Sequence, residues 1–197
     1  MQDFAAARRA MVDSQLRPEG VVDFGVVNAI ANLPREKFIP AAARALAPPA
    51  ATGRLLSELE PRRGERALVV GAGTGYSAAL LDTLGLKVIA LESDPALASM
   101  ARAASLGVDV VEGELPAGYP NGAPYDIILI DGGVEHIPDA ITAQLVEGGR
   151  IGAALCDRGV TRLAVGRNVG GRVGLRIIAD ADVAPLPGFG RPKTFTF

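Results

Sequence analysis

Three glycines occupy alternate positions in the segment Gly71-Ala-Gly-Thr-Gly75, directly after the apolar run 67–70. A glycine-rich turn between a strand and a helix lets the backbone approach a ligand closely, because no side chain stands in the way. Glu92 ends the next predicted strand, where a carboxylate can accept hydrogen bonds from both ribose hydroxyls of a nucleoside. Together they predict a site for a nucleoside-containing cofactor. The alternative is a structural turn beside a solvated glutamate.

The spacing of this loop separates two kinds of cofactor. A dinucleotide-binding loop needs glycine or alanine three residues after its second glycine, and Tyr76 stands at that position. A pyrophosphate at the helix N-terminus is therefore disfavoured, and a nicotinamide-dependent dehydrogenase is the least favoured function. Glycine at every second position is instead typical of enzymes that bind S-adenosylmethionine, the cofactor we expect. The predicted contact residues are Gly71, Ala72, Gly73, Gly75, Tyr76, Glu92 and Ser93.

Acidic residues at the ends of two further predicted strands add to this site. Gly113 and Glu114 follow the third strand and are expected to border the adenine ring, where Glu114 could accept a hydrogen bond from the amino group. A solvated loop glutamate is the alternative for Glu114. Asp131 ends the fourth strand on the ligand side, whereas Asp126 begins it and is expected to have a structural role.

The elements that must position these residues alternate along the chain. Predicted strands at 67–70, 87–91, 108–111, 125–130 and 150–155 are separated by predicted helices at 76–84, 95–105 and 138–145. Two apolar runs at 163–169 and 173–179 surround Gly170-Gly171, which predicts an antiparallel hairpin. The expected fold class is α/β, a Rossmann-like doubly wound and mostly parallel sheet with a C-terminal antiparallel hairpin.

Helical patterns dominate the first part of the chain. Helices are predicted at 4–15 with Asp3 as cap, at 24–33 with Asp23 as cap, at 41–47, and from Thr52, as cap, to Pro61. We expect one methyltransferase domain over residues 1–197, composed of an N-terminal helical cap (1–60) and a cofactor-binding α/β core (61–197).

Composition excludes several classes of partner. The 20 basic and 22 acidic residues among 197 nearly cancel and are scattered, so no nucleic-acid partner is expected. Cys156 and His136 are the single cysteine and histidine, which excludes an internal disulfide and an ordinary Cys/His metal site. No signal peptide or apolar run of membrane-spanning length is evident, so a cytoplasmic protein without a membrane partner is expected.

The sequence resembles the protein-L-isoaspartate O-methyltransferase family over nearly its whole length. The stretch Pro34-Arg-Glu-Lys-Phe-Ile-Pro40 is the most particular to that family, because the glycine loop is shared by many methyltransferases. Further matching segments are 11–17, 26–30, 71–76, 123–126, 137–138, 144–150 and 183–186. The resemblance implies an S-adenosylmethionine-dependent O-methyltransferase that esterifies isoaspartyl carboxylates in damaged proteins or peptides, a repair reaction.

One family segment is missing. Members carry a Gly-Gln-Thr-Ile-Ser motif between the Phe-x-Pro stretch and the helix before the first strand, and its serine is treated as the active-site residue. This chain has only Ala41 to Ala51 there, so no catalytic serine is carried over; Thr52 and Ser57 stand in no matching motif. Glu114 also replaces the family's usual aspartate, and Asp131-Gly-Gly133 replaces a Thr/Ala-rich strand end.

This gap leaves three interpretations of the function. The first is an isoaspartyl methyltransferase, and a carboxylate acceptor suits it because a group with an ordinary pKa of about 3.9 is already ionised and needs no general base. The second is a methyltransferase for another acceptor. The third is a non-catalytic protein that binds S-adenosylmethionine. His136, just beyond the fourth strand, either faces the acceptor site or is an exposed loop residue. The sequence does not determine the oligomeric state or the order of the last strands.

Overall fold

A computed structural model describes residues 3–39, 44–104 and 107–191. Its centre is a seven-stranded sheet with the order β3-β2-β1-β4-β5-β6-β7. The strands are β1 Arg66–Val70, β2 Lys87–Glu92, β3 Asp109–Glu112, β4 Tyr125–Val134, β5 Leu145–Asp157, β6 Val160–Val169 and β7 Arg172–Asp180. The first five pair in parallel, whereas β6 and β7 are antiparallel. The predicted α/β, mostly parallel sheet with a C-terminal antiparallel hairpin is confirmed.

Helices cover both faces of this sheet. They are α1 Phe4–Met11, α2 Phe24–Asn32, α3 Pro49–Leu59, α4 Tyr76–Thr83, α5 Pro95–Ala104 and α6 Asp139–Thr142. Alternate residues of β1 belong to different hydrophobic clusters, Val69 to one and Leu68 and Val70 to the other. This alternation is expected of a strand buried on both faces. None of the helices in the described ranges has the length and apolar character that a bilayer crossing requires.

The first two helices begin where the sequence predicts. The carboxylates of Asp3 and Asp23 accept hydrogen bonds from the backbone N–H groups of Ala6 and Val26, at 3.0 and 2.8 Å. The first helix is shorter than predicted, because α1 gives way to a π-helix at Val12–Leu16. The first and last side chains of this π-helix are buried in the core.

The segment before β1 differs from its prediction. No helix forms over residues 44–47 of the predicted helix 41–47, and residues 41–43 lie outside the described ranges. Pro48 disfavours helical geometry at Ala47, the residue before it. The next helix, α3, begins at Pro49 rather than at Thr52, because a proline fits the first helical position. Thr52 is a buried residue inside α3, so its predicted capping role is wrong.

Several elements of the second half have different lengths from those predicted. β4 continues beyond Ile130 to Val134, because its end pairs with β5 on one side and with the C-terminal segment on the other. Gly133 N–H donates to the Ala184 carbonyl and Leu186 N–H to the Gly133 carbonyl, each at 2.8 Å. The predicted helix 138–145 is reduced to α6, since β5 already starts at Leu145. A second hairpin joins β5 to β6.

Candidate cofactor-binding site

Three neighbouring strands end at the same edge of the sheet and bring the predicted site residues together. Val70 of β1 is in register with Leu91 of β2 and with Ile130 of β4. The residues that follow them, Gly71, Glu92 and Asp131, therefore emerge side by side at the carboxyl edge. In open α/β sheets, this edge is where ligands bind.

The glycine loop turns sharply between β1 and α4. Gly71, Gly73 and Gly75 have φ angles of 74°, 59° and 90°, a left-handed geometry that side chains disfavour. The N–H groups of Gly71 and Ala72 both donate to the Leu91 carbonyl, at 2.9 and 3.1 Å, which fixes the loop to β2. The alternating glycines are thus required by the turn itself, besides the room that they leave for a ligand.

Glu92 is fully buried, and its carboxylate organises the loop. One oxygen, Oε2, accepts from Gly73 N–H at 2.7 Å, and the other, Oε1, accepts from the N–H groups of Ser93 and Asp94 at 2.8 and 3.1 Å. Burial alone would raise the pKa of this carboxyl. The Asp94 N–H and the guanidinium of Arg44 outweigh that effect and hold the pKa below its usual range.

Arg44 is the functional-site residue that sequence reasoning missed. Its Nη2 donates to Oε2 of Glu92 and to the Gly71 carbonyl, both at 2.7 Å, and its side chain is 15% exposed. A Cβ atom at Gly73 would lie 3.4 Å from this nitrogen, so the guanidinium lies directly on the glycine loop. No motif identifies Arg44, which comes from the shortened segment before α3. A lone arginine in that segment gave no signal.

Asp131 is partly buried beside this ion pair. Burial raises the pKa of its carboxyl, and the Ser77 hydroxyl and the positive charges of Arg44 and Arg35 lower it only in part. The raised pKa marks a carboxyl whose charge is costly at this position. A cation brought next to Asp131 would favour its ionised form.

Tyr76 lies behind the loop rather than at its open side. Its side chain is 1% exposed, its ring meets Phe38 edge-on at a centroid distance of 5.5 Å, and the Arg35 guanidinium stands 4.8 Å from the ring centroid. Thr74 of the loop donates to the Phe38 carbonyl. The stretch Pro34 to Phe38 is thus part of the support of the glycine loop.

The remaining predicted residues border the same edge. Gly113 N–H donates to the Glu92 carbonyl at 3.1 Å, and Glu114 is exposed before a short 3₁₀ helix at Leu115–Ala117. Ser93 lies beside Glu92 through its backbone. His136 Nδ1 is 3.2 Å from the Phe189 carbonyl, so this ring contacts the C-terminal segment.

The donor and acceptor set suits S-adenosylmethionine. A buried carboxylate stands next to a loop with glycine at every second position, and a second carboxyl, Asp131, lies on the neighbouring strand end. A ribose needs the first kind of acceptor, and a sulfonium is favoured by the second. The residues present therefore fit this cofactor.

Comparison with known proteins decides the family. Residues 7–160 match the family model described as Protein-L-isoaspartate(D-aspartate) O-methyltransferase. A protein-L-isoaspartate O-methyltransferase of Methylorubrum populi is 40% identical over 165 residues, which cover 74% of this chain and 78% of that protein. The chain belongs to this family. Its members are S-adenosylmethionine-dependent O-methyltransferases, so the predicted cofactor and enzyme class are confirmed.

Other family members extend the match towards both ends of the chain. The Koribacter versatilis protein-L-isoaspartate O-methyltransferase is 33% identical over 205 residues, covering 94% of this chain and 92% of that protein. The solved structure of a Plasmodium falciparum protein assigned as a protein-L-isoaspartate O-methyltransferase, in complex with S-adenosyl-L-homocysteine, superposes with a TM-score of 0.79. It is 15% identical and covers 94% of this chain and 99% of that one, which supports the fold.

The two hydroxyl residues that follow the shortened segment do not replace the family's serine. Thr52 and Ser57 lie on α3, where Thr52 is buried and the Ser57 hydroxyl is buried with no hydrogen-bond partner within the described ranges. The shortened segment supplies Arg44 instead.

Proposed function

We propose that this chain transfers the methyl group of S-adenosylmethionine to the carboxylates of isoaspartyl residues in damaged proteins. The observation that carries the proposal is the family match over residues 7–160, which spans the Pro34–Pro40 stretch, the glycine loop and Glu92. A cytoplasmic setting is part of the proposal, and it is supported by a lone cysteine, Cys156, that forms no disulfide.

The residues of the site bind and orient the cofactor rather than transfer protons. Glu92 is held ionised, and it would accept hydrogen bonds from the ribose hydroxyls, while the loop from Gly71 to Gly75 would border the methionine part. S-adenosylmethionine, when bound, supplies a methyl group already activated on a sulfonium. An ionised carboxylate acceptor needs no general base, so catalysis depends on alignment and on the exclusion of water. A single histidine in the chain is consistent with this chemistry.

Positive charge beside the site supports an anionic acceptor. Arg35 and Arg44 both influence Asp131 electrostatically. Two positive charges close to this strand end favour the approach of an anionic acceptor.

The experiment is methyl transfer to a pair of peptides of one sequence, one with isoaspartate and one with normal aspartate. The proposal expects turnover with the isoaspartyl peptide and at least about tenfold less with its partner. Binding of S-adenosylhomocysteine without any turnover of the isoaspartyl peptide would contradict the proposal. A screen of other acceptors would then separate a methyltransferase of different specificity from a non-catalytic binding protein.

A further inference from the structure

Each acceptor position of Glu92 is already taken. A carboxylate oxygen accepts about two hydrogen bonds. The N–H groups of Ser93 and Asp94 fill Oε1, which the Ser93 hydroxyl also approaches at 3.4 Å, and Gly73 N–H and Arg44 Nη2 fill Oε2. A ribose hydroxyl needs one of the same positions, so it can donate to Glu92 only when one of these donors leaves.

Arg44 is the donor that can leave. Three of the others are backbone N–H groups, fixed in place by the glycine loop and by the start of α5. The fourth, the Ser93 hydroxyl, is a long third contact to Oε1, where both backbone donors stay, so its departure leaves that oxygen filled. Arg44 contributes a side chain from a bend, and residues 45–48 after it form no helix or strand. Moving its guanidinium therefore breaks no hydrogen bond of a helix or of the sheet. It breaks the bonds to Glu92 and to the Gly71 carbonyl.

We propose that Arg44 and the cofactor ribose exchange at Glu92, so that Arg44 lowers the cofactor affinity and has to leave before the nucleoside is held. This inference rests on the proposed function and deepens it, because it concerns the same cofactor. The ion pair keeps the Glu92 carboxylate satisfied, since an unpaired charge at a fully buried position is costly. The free energy of binding is then the difference between the energy of the ribose hydrogen bonds gained and that of the Arg44 hydrogen bonds lost.

The test is a calorimetric titration of S-adenosylhomocysteine into the wild type and Arg44→Ala. Exchange predicts that Arg44→Ala binds at least about fivefold more tightly, because no ion pair is lost on binding. Arg54→Ala is the matched control. Like Arg44, Arg54 donates to backbone carbonyls and lies near an acidic residue, Glu19; unlike Arg44, it lies on α3. This variant should leave the affinity unchanged.

Two further measurements keep the result decisive. Arg44→Lys retains the charge without the planar guanidinium, and we expect its affinity to lie between those of the wild type and Arg44→Ala. If Arg44→Ala has a lowered thermal midpoint, Arg44→Lys takes its place in the test. A crystal structure with S-adenosylhomocysteine should show Nη2 of Arg44 more than about 4 Å from the Glu92 carboxylate, beyond ion-pair distance.

The outcomes separate this inference from the proposed function. If the wild type binds S-adenosylhomocysteine and Arg44→Ala binds it equally or more weakly, exchange is wrong and the cofactor assignment stands. An Arg44–Glu92 ion pair that persists in the complex would likewise contradict the exchange and leave the cofactor assignment intact. If neither the wild type nor any Arg44 variant binds, the proposed function fails and the exchange fails with it.

Discussion

Glu92 has three backbone N–H donors, the Ser93 hydroxyl and one guanidinium around a carboxylate that is not exposed at all. Glu92→Gln removes the charge and replaces one acceptor oxygen with a donor. We expect the affinity for S-adenosylhomocysteine to fall at least about thirtyfold, because charge-assisted hydrogen bonds to the ribose are lost. Calorimetry measures this change.

Glu147→Gln is the control for Glu92→Gln. Glu147 is exposed and accepts from Gly170 N–H in the hairpin, away from the site. An equal loss of affinity in both variants would show that Glu92 does not contact the cofactor. Thermal midpoints of both variants separate lost binding from lost folding.

The raised pKa of Asp131 predicts a pH-dependent preference between the two forms of the cofactor. Because burial raises this pKa, the carboxyl becomes ionised only at higher pH than an ordinary aspartate. The ionised form attracts the sulfonium of S-adenosylmethionine and not the neutral sulfide of S-adenosylhomocysteine. The ratio of the Kd for S-adenosylhomocysteine to that for S-adenosylmethionine should therefore rise with pH above about 3.9, the ordinary pKa of an aspartate carboxyl.

Asp131→Asn should make that ratio independent of pH over the same range. Asp126→Asn is the matched control on β4, since Asp126 accepts from Arg66 N–H at the opposite end of the strand. A ratio that still rises in Asp131→Asn would assign the titration to another group.

At the scale of elements, Arg150 of β5 joins the end of α3 to the start of β1. Its guanidinium donates to the carbonyls of Leu59 and Glu60 and to both carboxylate oxygens of Glu65. Arg150→Ala leaves these acceptors unpaired, and we expect the free energy of unfolding to fall by about 3 kcal/mol. Urea denaturation measures it.

Arg167→Ala is the control, because Arg167 lies opposite Arg150 in the β5–β6 ladder. Its exposed side chain donates to the Gly148 carbonyl and to no other group among the described residues. We expect a loss below about 0.5 kcal/mol there. Similar losses in the two variants would mean that the Arg150 network adds no stability of its own.

The elements that sequence patterns predicted well are those with strong local signals. Asp3 and Asp23 cap their helices, and the apolar runs before the glycine loop and before Glu92 are strands. The hairpin between β5 and β6 was missed, although Arg158 and Gly159 have positive φ angles of 49° and 81° that suit a tight turn.

What the patterns did not predict depends on contacts between distant parts of the chain. β4 is extended because its end pairs with β5 and with residues near Leu186, and no local periodicity carries that information. Arg44 contacts Glu92 although 48 positions of sequence separate them, and in the sequence its segment was notable only for being shorter than in the family. The site's carboxylates and glycines were identified from the sequence, whereas its cation was not.

At the scale of the whole molecule, three buried or partly buried ion pairs predict sensitivity to acid. They are Arg8–Glu36, Arg150–Glu65 and Arg44–Glu92. Burial alone would raise the pKa of each carboxyl, but hydrogen bonds and the arginine charges outweigh it, so all three pKa values lie below the ordinary 4.5.

A carboxyl whose pKa is depressed by folding stabilises the folded state above its unfolded pKa. That stability is lost as the pH falls through the folded value. We therefore expect the thermal midpoint to be steady between about pH 7 and about pH 5.5 and to drop below about pH 4.5. Glu65→Gln should flatten this decline, and an unchanged acid profile in that variant would remove Glu65 from the explanation.

Leu186 has a consequence for how this sequence can vary. Its side chain lies where Cβ atoms at Gly71 and Gly132 would stand, at 2.6 and 2.5 Å, so one leucine from near the chain's end fills space beside two strands. Gly71 is also constrained by its φ of 74°, whereas Gly132 is constrained by this contact. Among relatives, alanine at the position of Gly132 should accompany a smaller residue at that of Leu186, a covariation between distant positions.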